Sequence, residues 1–130
     1  MGIEVSGPKH VTKLGMFAFC WPGCLTVMYN REKVGLVQIA DIRKNNDYAM
    51  WLKICRSFDC YLLDEVLAKY RRGRTGSISS HGYFTLIRWH YKLWHDVERM
   101  NMVSSIFWTC INLVCGLLKK IVFIEKKEND

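Results

Sequence analysis

Tyr48, Trp51, Leu52 and Cys55 recur at the i, i+3, i+4, i+7 spacing that lines one face of a helix. Asp47 stands directly before this run, in "KNNDYAMWLKIC", where it serves as the N-cap or a first-turn residue of a helix running to about Cys55. Upstream, "CLTVMYN" (residues 24–30) is β-branched and apolar and predicts a buried strand. "REKVGL" then reads as a short helical turn that Gly35 closes. Residues 37–46 are polar and predict a loop, while "CYLL" and "VLAKYR" predict strands separated by Asp64 and Glu65. The first fifteen residues, punctuated by Gly and Pro, predict a loop. So does "RRGRTGSISSHG" (residues 71–82), a Gly-, Ser- and Arg-rich stretch without apolar period.

From Tyr83 the period is helical again. Phe84, Ile87, Tyr91 and Trp94 form one face, with Arg88, Lys92, His95 and Arg99 off it. Asn101 to Leu118 carries no charged residue; at about 1.5 Å per residue it would reach ~27 Å, near the lower limit for crossing a hydrocarbon core. The pattern within it argues against crossing. Val103, Phe107, Cys110, Val114, Leu117 and Ile121 form an apolar stripe, and Ser105, Thr109, Asn112, Gly116 and Lys119 a small or polar one. Two such stripes predict a helix that lies in an interface or packs on a partner. The chain therefore divides into residues 1–82, with mixed strand and helix signals, and a helical, basic tail, 83–130.

Charge sharpens this picture. Lys and Arg exceed Asp and Glu by 19 to 12, a formal +7, concentrated in "KYRRGR" (Lys69 to Arg74), at Lys119 and Lys120, and in the final residues. That balance suits phosphate-bearing ligands or an anionic membrane surface. No recognition motif interleaves with the arginines, so a nucleic-acid partner is not expected. The six cysteines fall in three local pairs, Cys20/Cys24, Cys55/Cys60 and Cys110/Cys115, none with C-x-x-C spacing. Residues 1–13 lack the apolar core of a signal peptide, and the cysteines are expected to be buried, reduced thiols of a cytosolic protein.

Chemistry-bearing motifs are sparse. There is no P-loop, no Gly-rich turn after a strand and no D-x-D pair of carboxylates, so no metal ligand set is assigned. His81, His90 and His95 have no ligand spacing and are expected to be solvated.

The order of segments carries more than any one of them. "CLTVMYNREKVGL", then "KNNDYAMWLKI", then "CYLLDEVLAKYRRGRTGSIS" resembles the C-terminal half of the catalytic domain of family-2 inverting glycosyltransferases. These are GT-A-fold enzymes that build bacterial capsule, lipopolysaccharide and other surface polysaccharides. The resemblance covers about Leu14 to Ser80 and implies an α/β fold: the acceptor-side part of a nucleotide-diphospho-sugar transferase, followed by amphipathic C-terminal helices. It implies transfer of a sugar from a nucleotide-sugar donor to a glycan or lipid-linked acceptor. Asp47 matches the family's catalytic base. Asn46 replaces the glutamate usual before it; Asn46 and Trp21 are the candidates for binding the acceptor, Trp21 by stacking on its sugar. Arg71, Arg74, Ser77 and Ser79 match the loop near the donor diphosphate, where arginines and backbone N–H groups suit a departing phosphate. The family's first strand, nucleotide pocket and metal-binding D-x-D have no counterpart here. The resemblance thus implies that Mn²⁺ or Mg²⁺ is needed only by the complete enzyme, that this chain binds none alone, and that it is a fragment, a truncated reading frame or one half of a split enzyme whose N-terminal half is a separate chain. It places the protein in the cytoplasm, peripheral at the inner face of the plasma membrane. A different class of reading is a non-catalytic interaction module held to a membrane or partner by its basic tail.

Overall fold

The structure, a computed structural model, describes residues 2–70 and 82–127. In chain order, β1 (Gly2–Val5), β2 (His10–Val11) and α1 (Lys13–Ala18) lead to α2 (Arg31–Val34) and α3 (Asn46–Ile54). After β3 (Cys60–Tyr61) come α4 (Tyr83–Lys92), a π-helical turn over Leu93–Val97, α5 (Met102–Val122) and β4 (Ile124–Lys127). Helices and two small antiparallel ladders thus make up the mixed architecture; β1 pairs with β4, and β2 with β3.

The core grows from the α3 face that the spacing predicts. Tyr48, Trp51, Leu52 and Cys55 are all buried, Tyr48 and Leu52 at 1% and 0% exposure. Met16 of α1 and Leu93 and Trp94 of the π-helical turn complete it, and Phe17 packs on Trp94 at 5.3 Å between ring centroids. Thr12 caps α1 by accepting the Gly15 N–H, and Asn30 caps α2 by accepting those of Glu32 and Lys33. Gly35 ends α2 at φ +81°, a conformation open to glycine. Arg99, at φ +55°, turns the chain between the π-helical turn and α5, and Arg56 pairs with the nearly buried Glu98 at 2.6 Å.

Several expectations are corrected. Residues 24–30 form no strand. Cys24–Thr26 is a single 3-10 turn, and Leu25 and Met28 are exposed. A β-branched run becomes a strand only against a partner edge, and no described strand lies beside this one. "CYLL" contributes only Cys60 and Tyr61 to a ladder, and Val66–Tyr70 has no strand. The first fifteen residues, expected as loop, hold β1, β2 and the start of α1, because β4 and β3 supply partners distant in sequence. On α4 the predicted face is buried only at its end: Phe84 and Ile87 are exposed, while His90, Leu93 and Trp94 enter the core. His90 is therefore not solvated; His95 is exposed, and His81 lies outside the described residues. All six cysteines are free thiols, but of the burial expected for them only Cys55 has it in full: Cys20, Cys60 and Cys115 are half-buried, and Cys24 and Cys110 are exposed.

The largest reversal of intuition concerns α5, which packs on α1, α4 and the π-helical turn. Its polar stripe faces the protein. Ser105 and Asn112 are 0% and 1% exposed, whereas Val103 and Ile121 on the apolar stripe are 74% and 77% exposed.

Candidate active site

Asn45 enters α3 at φ +59°, ψ 18°, a left-handed conformation that asparagine adopts more readily than most residues. It offers no side-chain cap, so the first turn satisfies its own donors. Asn46 Oδ1 accepts the Asp47 N–H at 2.8 Å, and Asp47 Oδ1 accepts the Tyr48 N–H at 2.9 Å. Asp47 is thus a first-turn residue rather than the N-cap. Its second oxygen, Oδ2, accepts a hydrogen bond from the Cys24 thiol at 3.2 Å. The carboxylate is half-buried, at the positive end of α3.

That thiol stays protonated near neutral pH. Partial desolvation, although Cys24 is exposed, then the hydrogen bond to Asp47, push its thiol up to about 11. Burial raises Cys20 as well, and the negative charge of Asp47 adds to it. The 3-10 turn at Cys24–Thr26 therefore brings a weak, neutral donor to the one acid of the α3 entrance. A sulfur donor binds a carboxylate less tightly than an oxygen or nitrogen donor, so a hydroxyl that reaches Oδ2 can replace it.

Behind Asp47 the helix is pinned. The Tyr48 hydroxyl donates to the carbonyls of Met16 at 2.7 Å and Phe17 at 3.1 Å, and burial holds its phenol well above the usual range. Asn112 of α5 donates to Phe17 O and Ala18 O, each at 2.8 Å, and to the Tyr48 oxygen at 3.3 Å, and accepts from Trp94 Nε1 at 3.0 Å. One amide thus ties α1, α3, the π-helical turn and α5 together. Neither Cys24 nor Asn112 was assigned a site role from sequence. The signal for Asn112 was its place on a polar stripe inside an uncharged helix; for Cys24 there was none, since its contact with Asp47 spans 23 residues.

The other expected site residues are placed unevenly. Asn46 adjoins Asp47 and bonds to its amide. Trp21 begins the loop that carries Cys24, but its ring is half-buried. Its Nε1 donates to Gly15 O at 3.1 Å, Phe19 and Phe123 approach it edge-on at 5.3 Å, and Lys119 Nζ sits 5.8 Å from its centroid. Arg71, Arg74, Ser77 and Ser79 lie outside the described residues. Among the described residues, no group of three or more His, Cys, Asp or Glu side chains is placed to hold a metal ion.

Over 99 residues, 75% of its length, the chain is 32% identical to a protein of Bacillus subtilis (strain 168) named "Putative teichuronic acid biosynthesis glycosyltransferase TuaG". It spans 38% of that relative. The chain is thus related to a protein bearing a glycosyltransferase name. No protein-family model matches it. No solved structure matches it either.

Proposed function

We propose that this chain is the acceptor-side portion of a family-2 inverting glycosyltransferase of GT-A type. It would act in bacterial surface-polysaccharide synthesis and use Asp47 as general base. The observation that carries this reading is the 99-residue likeness to a protein with a glycosyltransferase name. In the proposed reaction an acceptor hydroxyl, on a glycan or lipid-linked sugar, displaces the Cys24 thiol from Asp47 Oδ2. The carboxylate takes the hydroxyl proton as the oxygen attacks the anomeric carbon of a nucleotide sugar. The carbon–oxygen bond to the diphosphate breaks on the opposite face, the anomeric configuration inverts, and the nucleoside diphosphate leaves with the bonding pair. Asp47 answers this need because its Oδ1 is fixed by the Tyr48 amide while Oδ2 accepts from a thiol, a weak donor. Arg71, Arg74, Ser77 and Ser79 are proposed to meet the departing diphosphate. A divalent metal, Mn²⁺ or Mg²⁺, is proposed for the complete enzyme, where it would neutralise charge on the diphosphate.

The test grafts the chain in place of the matched 99 residues of the Bacillus subtilis relative and follows nucleoside diphosphate release from a panel of sugar nucleotides. Asp47→Asn should keep the fold, because the amide oxygen can still accept the Tyr48 N–H, and should slow turnover by about 10²- to 10⁴-fold. A folded Asp47→Asn graft that turns over at the unmodified rate would reduce Asp47 to a first-turn capping residue.

A further inference from the structure

We infer that the apolar stripe of α5 is a docking surface for an anionic phospholipid bilayer, on which the helix lies without crossing. This inference goes beyond the proposed transferase reading and does not depend on it. It starts from which stripe the fold buries. In a helix that completes a soluble core, the apolar stripe turns inward. Here Ser105, Thr109 and Asn112 turn inward, and Val103, Phe107, Val114, Leu117 and Ile121 are left at the surface.

The inward stripe holds α5 against the protein along its length, which decides between lying and spanning. Near one end Ser105 is fully buried against the protein, its hydroxyl bonding within the helix to Asn101 O. At the middle Asn112 bonds to two carbonyls of α1. Toward the other end Phe19 lies 3.1 Å from where a Cβ would stand on Gly116, and Lys119 Nζ donates to Trp21 O at 3.1 Å. Although α5 is long and apolar enough to cross a membrane, crossing would strip Asn112, Gly116 and Lys119 from their partners outside the helix and expose buried polar groups to lipid. Lying in the plane keeps them.

Charge selects the occupant. The exposed stripe from Val103 to Leu117 carries no ionisable residue except the thiol of Cys110, so over that length it offers a protein partner neither salt bridge nor strong donor to fix a register. At its end Lys120 is exposed, and its aliphatic stem can follow the apolar surface while the ammonium stays in water. The chain as a whole carries +7, which opposes self-association and favours a negative surface. A smooth apolar ridge with a cationic end matches the headgroup–acyl boundary of an anionic leaflet.

Flotation of the 130-residue chain with vesicles tests this. Phosphatidylcholine vesicles are compared with vesicles that also contain phosphatidylglycerol. Expected are roughly tenfold or greater enrichment on the anionic vesicles, a fall in binding at high salt, and release by alkaline carbonate. Phe107→Asp and Val114→Asp, at exposed positions, should each cut binding by about tenfold while leaving the melting temperature unchanged. Should either Asp form melt early, the uncharged Phe107→Ser replaces it, with the same direction expected. Lys120→Glu should weaken binding to the anionic vesicles alone. Equal flotation with neutral and anionic vesicles, retention after carbonate, or full binding by the folded variants would overturn the inference. So would a dimer in light scattering that Phe107→Asp dissociates, if the unmodified chain binds neither vesicle.

Discussion

Replacing Asn112 by Leu or by Asp probes the amide that joins four elements. Leu is close in size and fills the site, so the change is chiefly in hydrogen bonding. It leaves Trp94 Nε1–H, on a fully buried side chain, without an acceptor, and removes the donors to Phe17 O and Ala18 O. Phe17 O keeps its bond from the Tyr48 hydroxyl, so it is only partly orphaned. One buried unsatisfied donor costs about 1–3 kcal/mol, and each lost neutral hydrogen bond about 0.5–1.5 kcal/mol. Burying the apolar leucine side chain returns roughly 1–2 kcal/mol. The net loss is therefore about 2–3 kcal/mol, or a melting temperature lower by roughly 7–12 °C for a chain of this size. Asp differs instructively. Its first oxygen can still accept from Trp94, but the second would face Phe17 O and Ala18 O, which sit 2.8 Å from the present amide nitrogen. At neutral pH that places a buried charge against two carbonyl oxygens, so Asn112→Asp should be less stable than Asn112→Leu. Acidification should narrow the gap, because the protonated carboxyl can donate to one of the carbonyls. Urea unfolding followed by circular dichroism at pH 7 and pH 5 measures both effects. A Leu variant within about 0.5 kcal/mol of the unmodified chain, well below one unmet buried donor, would refute the hub role. So would an Asp variant that outlasts the Leu variant at pH 7.

Two further outcomes follow from buried contacts. His90 is 8% exposed with Nδ1 unpartnered, and burial lowers its pKa below the ordinary value, an effect the Asn112 side chain partly counters. The unfolded chain then takes up this proton first, so stability should fall as pH drops through about 6.5 and level off below the folded-state value. The difference in urea stability between the unmodified chain and His90→Phe isolates this term; a difference that does not change from pH 7.5 to 5 would contradict it. At Gly116 a Cβ would stand 3.1 Å from Phe19 Cε2, whose ring is also held against Trp21. Ala should therefore be near neutral, its helix propensity gain of about 1 kcal/mol offset by the squeeze, while Gly116→Val should cost about 1–3 kcal/mol. Thermal melting of the pair decides it, and a Val variant as stable as the Ala one would show that Phe19 moves freely.

What the amino-acid order determined by itself is whatever depends on neighbours within a turn or two. The buried face of α3 was legible because Tyr48, Trp51, Leu52 and Cys55 share a side of any helix built from them. The glycine stop was legible for the same reason, since Gly35 supplies its own φ. Asp47 at the entrance of α3 belongs to this class, as does the division of α5 into two stripes. Only the tertiary structure decided which of those stripes turns inward. Periodicity states that two faces differ, but the choice rests on whether the amide of Asn112 finds carbonyls on α1, which lie more than ninety residues earlier in the chain. The same holds where expectation failed. Cys24–Asn30 has a strand's composition yet no edge to pair with, whereas Gly2–Val5 becomes a strand because Ile124–Lys127 lies beside it. The Cys24–Asp47 contact, which gives the entrance of α3 its exchangeable donor, likewise exists only because the chain folds back over that helix end. Hydrogen bonds between distant segments need partners in space, and order along the chain does not specify which partners arrive.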